Sequence, residues 1–223
     1  MKFSAAIAAG LIGLLPASGP AFAKAQEIFG KTLPPIGFVS FCGREPQRCA
    51  PAALSYGTLR MSAERWRLVQ RINSLVNAQI APESDEILYG EAEYWAYPTD
   101  AGDCEDYALL KQLYLEGLGF PRSALLITVV LDEANEGHAI LTLVTSEGDF
   151  ILDNRQNTIR RAADVDYTFL KRQSQHDPRD WVSLSITGPG SVQILSHIFS
   201  SHGGFGWVFV GLKQRPHVHV PFR

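Results

Sequence analysis

The chain has 223 residues, is 46% apolar and 19% charged, and carries a formal net charge of −3. This is the composition of an ordinary globular protein and excludes a disordered one. The negative balance argues against a nucleic-acid phosphate backbone as the partner.

Residues 1–23 have the layout of a secretory signal. Lys2 is the charged start, Ala5–Leu15 a short apolar run, and Ala21-Phe22-Ala23 a small-x-small cleavage site. The run is too short to span a bilayer, and no second long apolar stretch exists, so no membrane insertion is expected once the signal is removed. A periplasmic or secreted location follows. About 200 residues remain, enough for one domain with a sizeable core.

There are three cysteines. Cys42 and Cys49 bracket a turn-rich loop, Gly43-Arg44-Glu45-Pro46-Gln47-Arg48, and are expected to form a disulfide in an oxidising compartment. Cys104 is left over, and an odd thiol in an exported chain calls for a reason.

Lys24–Pro51 holds four prolines and reads as an irregular N-terminal wrap. A helix then starts at the N-cap Ser62, with Trp66, Val69, Ile72 or Asn73, Val76 and Ile80 as its buried stripe, and stops by Pro82. Ser84–Ala101 reads as loop. A second helix starts at Asp103 or Cys104 and runs to about Glu116, where Gly117, Gly119 and Pro121 end it. The period then changes: Ala124–Leu131, His138–Thr145 and Asp149–Asp153 are β-rich apolar runs, and Asp166–Lys171 is a further candidate strand. Helices followed by an antiparallel sheet give an α+β domain. After Asp180 there is no acidic residue, and the tail from residue 188 to residue 223 is set apart as an extension without an assigned role.

The chemistry centres on Gly102-Asp103-Cys104-Glu105-Asp106. As the first helical residue, Cys104 feels the positive end of the helix dipole, which favours the thiolate. Three neighbouring carboxylates oppose it, so the sulfur needs a cation, either an imidazolium or a metal. His138, at the entrance of its strand, is the best partner. Asp153, at the end of the next strand, can hold the imidazole nitrogen that does not face sulfur. A tight turn at Glu147-Gly148 would leave the two side chains four residues apart on one face. The expected pairing sets His138 directly opposite Asp153 across a loop of about Val144–Glu147, or reaches the same contact by twist and a bulge. Trp95 reads equally as core or as an indole donor to an oxyanion hole.

Trp95, GDCEDYALLK at 102–111, GHA at 137–139 and FILDN at 150–154 closely resemble the bacterial transglutaminase-like cysteine proteinases, in particular their LapG-type periplasmic branch. The resemblance runs roughly from Ile36 to Trp181. It implies a papain/transglutaminase-like fold over residues 24–187, with the nucleophile helix packed on an antiparallel sheet. It also implies Cys104 as nucleophile, His138 as base and Asp153 as orienter in a cysteine peptidase. It further implies a calcium site at Asp103 and Glu105; carboxylate oxygens suit Ca²⁺, and neutralising them relieves the thiolate. A protein substrate such as a cell-surface adhesin, and an inner-membrane regulatory receptor, are the partners it implies. Two alternatives stay open: an acyltransferase or transglutaminase in which an amine intercepts the acyl-enzyme, and a catalytically silent binding module using the same cleft.

Overall fold

Ser62 caps the long helix: its hydroxyl accepts the Arg65 N–H at 3.2 Å, and the helix runs through Ala63–Gln79. The structure is a computed structural model that describes residues 26–51 and 58–185. The expected signal peptide and the extension from residue 188 lie outside the described residues.

In chain order the elements are β1 (Glu27–Thr32), α1 (Ile36–Arg44), α2 (Ala63–Gln79), β2 (Ala81–Pro82), α3 (Asp85–Tyr89) and β3 (Ala101–Gly102). There follow α4 (Cys104–Gly117), β4 (Leu125–Leu131), β5 (Gly137–Thr145), β6 (Gly148–Leu152), β7 (Arg160–Arg161), β8 (Thr168–Gln173) and β9 (Trp181–Ser185). Seven strands form one antiparallel sheet in the order β1-β9-β8-β4-β5-β6-β7; β2 and β3 make a separate parallel pair. This is an α+β architecture with helix α4 packed on strand β5 and on α2.

The central strands β4 to β6 are buried along almost their whole length. Both sheet faces are covered, which is why their sequences read as continuous apolar runs rather than as alternation. One face joins Ile127, Val129, Leu141, Leu143 and Leu152 to the helices and to Phe38, Trp95, Leu109 and Trp181. The other carries Val130, Ile140 and Ile151 against Tyr167, Phe169 and Leu184. Cys42 and Cys49 are disulfide-bonded, with Cα atoms 5.5 Å apart.

The stretch expected to be an irregular wrap instead contains β1 and α1. Pro35 occupies the N-cap of α1, where its missing N–H costs nothing and the following residues are free to turn. Within the expected loop at 84–101, Asp85–Tyr89 forms one helical turn. The pairing of β5 with β6 is also corrected. Thr145 faces Gly148 and Leu141 faces Leu152. Continued by one residue, this sets Asp153 against Ile140, so His138 stands two positions further along the same strand face. The parity of the expected pairing holds, but the contact is diagonal, a span that long side chains bridge.

Candidate functional site

Cys104 opens α4 and is 3% exposed. The sulfur is held from two sides. The Ala139 N–H on β5 donates to Cys104 Sγ at 3.3 Å, and the thiol lies 3.2 Å from Glu105 Oε2. Burial pushes the thiol pKa well above its ordinary value, and the Glu105 and Asp103 charges push it further.

His138, the neighbour of Ala139, is 1% exposed, and its Nε2 lies 3.0 Å from Asp153 Oδ1. An ionised carboxylate only accepts, so Nε2 carries the hydrogen in that bond. The other ring nitrogen, Nδ1, is buried and has no hydrogen-bond partner. Among the described residues no hydrogen bond joins it to the Cys104 sulfur, whose partners are the Ala139 N–H and Glu105.

Asp153 is heavily tied. Its Oδ1 also accepts the Arg155 N–H at 2.9 Å, and its Oδ2 accepts the Tyr167 hydroxyl at 2.6 Å. Burial pushes the Asp153 pKa up, but the bond from His138, the charge of His138 and the Tyr167 bond outweigh it and hold it down at about 2. Asn77 on α2 donates to the Asp153 carbonyl at 2.9 Å, fixing the residue's backbone as well. Tyr167 immediately precedes β8; it falls within the candidate strand Asp166–Lys171, and nothing else in the sequence marked it for the site.

A second group lies on the other flank of Cys104. Carboxylate oxygens of Asp85, Asp103 and Asp106 all lie within 4.8 Å of one another, and all three residues are buried. The Tyr94 N–H donates to Asp85, and the Ala96 N–H donates to Asp106 Oδ1 at 2.7 Å. One oxygen of each, Asp85 Oδ1, Asp103 Oδ1 and Asp106 Oδ2, is buried without a partner, and so is Glu105 Oε1. Burial raises Asp85 to about 6 and Asp106 to about 8, and it lifts Asp103 and Glu105 as well. Of the two residues expected to hold a metal, Asp103 falls in this trio. Glu105 turns one oxygen to the Cys104 sulfur. Asp85 and Asp106 were not anticipated as part of the cluster; Asp106 was visible as the third acid of the GDCED motif, but Asp85 reaches it from a distant turn. Gly102 makes the close approach possible, since a Cβ there would lie 2.6 Å from Asp106 Oδ2.

Four buried carboxylates with orphaned oxygens are costly unless a cation answers them. The hard carboxylate oxygens that Asp85, Asp103 and Asp106 bring within 4.8 Å of one another suit Ca²⁺. Trp95 is not free for an oxyanion: it is 1% exposed, packed edge-on to Phe38 and Trp181, and its indole N–H donates to Glu93 Oε2 at 3.2 Å.

The family model of the bacterial transglutaminase-like cysteine proteinases matches residues 28–188, well over half of the chain. The chain belongs to this family. Among solved structures, Legionella pneumophila LapG is 28% identical over 48% of this chain and 64% of that chain, with a TM-score of 0.43. Its calcium-bound form is 25% identical over 57% of this chain and 75% of that one, TM-score 0.46. The EGTA-treated form is 26% identical over 55% and 68%, TM-score 0.45. The chain thus aligns with just under two thirds of the length of the first of these. A comparison with curated proteins gave no match. Among the described residues of this proteinase family member, no helix is long and apolar enough to cross a membrane.

Proposed function

We propose that the chain is an exported cysteine peptidase that cuts a protein substrate through Cys104, His138 and Asp153. The observation that carries this is the pairing of two contacts on adjacent residues: His138 Nε2 on Asp153 Oδ1 at 3.0 Å and the Ala139 N–H on Cys104 Sγ at 3.3 Å. The first of these leaves His138 Nδ1 buried without a hydrogen-bond partner, and the second brings the sulfur to the residue next to His138.

In this reading the thiol proton passes to His138 Nδ1, and the resulting thiolate attacks the peptide carbonyl carbon. The developing oxyanion takes the Cys104 backbone N–H, one of the unbonded amides at the start of α4. The C–N bond breaks as Nδ1 returns its proton to the leaving amine. Nδ1 then removes a proton from water, whose oxygen attacks the thioester; the acid product leaves and the sulfur regains the proton. Asp153 fixes the tautomer throughout and balances the imidazolium. Asp85, Asp103 and Asp106, with Glu105 beside them, would hold a calcium ion. When bound, that ion supplies positive charge that offsets the carboxylates and favours the thiolate. The Cys42–Cys49 disulfide supports an oxidising, extracytoplasmic location. The adhesin substrate and the membrane receptor remain the partners that the family resemblance implies.

The test compares protein N-termini at the cell envelope of cells carrying the wild-type chain or Cys104→Ala. New N-termini that depend on Cys104 support the reading. Amine incorporation into a glutamine-bearing acceptor without new N-termini would replace it by acyl transfer.

A further inference from the structure

An open groove of about 640 Å³ runs along α2 against Phe150 and Ile159, and no residue of the Cys104 site lines it. Its floor is apolar: Trp66 packs edge-on to Phe150, ring centroids 4.7 Å apart, beside Ile159. Its rim carries Arg67 and Arg71, both exposed. These arginines are four residues apart on one helix face, where like charges repel and weaken the helix. Neither has a carboxylate within ion-pair distance among the described residues, and the segments outside them contain no Asp or Glu. A third guanidinium, Arg161, lies 4.8 Å over the Phe150 ring.

The groove's wall is built, not loose. Gln70 donates to the Asn157 carbonyl at 2.8 Å, and Asn73 donates to the carbonyls of Gln156 and Asn157 at 3.1 Å each. These amides bind α2 to the loop that follows Asp153, so the groove is preformed.

We propose that this groove binds an acidic segment of a protein partner, with an apolar side chain seated on Trp66 and Phe150 and carboxylates on Arg67 and Arg71. Planar guanidinium forks match carboxylates two bonds at a time, and an aromatic floor takes an aliphatic or aromatic anchor. A nucleic acid fits less well, because two rim arginines cannot offset a phosphate backbone on a chain of net charge −3. The proposal does not depend on the peptidase reading.

The test is fluorescence anisotropy with the full chain in the Cys104→Ala form, so that no probe is cut. The probe is a fluorescein-labelled peptide alternating aspartate and leucine. Saturable binding that weakens with salt is expected, and it should weaken roughly tenfold or more in Arg67→Glu/Arg71→Glu. Arg67→Gln/Arg71→Gln, which removes the positive charge without reversing it, should show a smaller loss in the same direction. Equal binding by the variants, equal binding of a peptide with asparagine for aspartate, or no binding at all would overturn the proposal. Tighter, arginine-dependent binding of a single-stranded oligonucleotide or of phosphatidylglycerol vesicles would overturn it too, by assigning the groove to a phosphate ligand.

Discussion

Tyr167 donates its hydroxyl to Asp153 Oδ2 at 2.6 Å, so the carboxylate oxygen that His138 leaves free is itself held in place. The Asp153 carboxylate is therefore held from three places: His138 on β5, the loop amide of Arg155, and the phenol that precedes β8. Removing the phenol should leave the fold intact and loosen the imidazole. Tyr167→Phe is expected to slow acylation of Cys104 by a thiol-directed acylating probe roughly tenfold, the scale of one hydrogen bond to a charged group.

The same carboxylate makes acid stability a readout. Its folded pKa of about 2 lies below the ordinary 3.8. Ionised Asp153 therefore stabilises the fold above about pH 4, and that contribution, on the order of 2 kcal/mol, is lost as pH falls toward 2. Acid unfolding followed by circular dichroism should begin at higher pH in Tyr167→Phe and in Asp153→Asn than in the wild type.

The acidic trio behaves in the opposite sense. Asp85 at about 6 and Asp106 at about 8 are raised by burial, so the metal-free fold binds more protons than the unfolded chain between about pH 4 and 8. Stability of the metal-free protein should therefore fall as pH rises through that window. Calcium should reverse this. At a hundredfold excess over its Kd it should add about 2.7 kcal/mol, raising the melting temperature by roughly 5–10 °C. Proton release on titrating calcium into EGTA-stripped protein, measured in buffers of different ionisation enthalpy, checks the linkage.

Gly102 tests how the trio is built. A Cβ there meets Asp106 Oδ2 at 2.6 Å, Asp106 Cβ at 2.9 Å and Pro98 Cβ at 3.1 Å. Gly102→Ala is expected to destabilise the protein by about 1–3 kcal/mol and to weaken calcium binding in the same preparation. Calorimetry and thermal unfolding together read both effects.

Lys111 is fully buried on α4, and its Nζ has no hydrogen-bond partner. Burial lowers its pKa to about 7, and the Asp153 charge partly restores it. The unfolded chain therefore holds this proton between about pH 7 and 10, where the folded chain does not, so this group makes the fold more stable as pH rises through that window. Lys111→Met should remove that slope and be as stable as the wild type or more so near pH 7. Denaturant unfolding at a series of pH values measures it.

The parts of the molecule legible in the sequence are those where periodicity and burial agree. Helix α4 announced itself through the GDCED start and the glycine stop, and β4 to β6 through apolar runs that only a doubly covered sheet explains. Placing His138 and Asp153 on one face needed only strand parity, although the pairing itself differs by a step from the one expected. What was hidden lacked those signals. Strand β1 is an edge strand whose side chains are largely exposed, with Gly30 at a register shift, so EIFGKT shows no alternation. Helix α1 follows two prolines that read as a break. The acid cluster joins Asp85 to Asp103 and Asp106 across a distance that no local pattern records, and Tyr167 reaches Asp153 only through the sheet order.

For Cys104 to act as the nucleophile of the proposed reaction, His138 must take its proton despite burial and three nearby acids. The direct measurement is the rate of iodoacetamide alkylation of Cys104 against pH, in calcium, for the wild type and His138→Ala. In calcium the wild-type thiol should react well below the ordinary thiol range of about pH 8.5, and the reaction of the variant should be displaced above it. Superimposable profiles for the two proteins would contradict it.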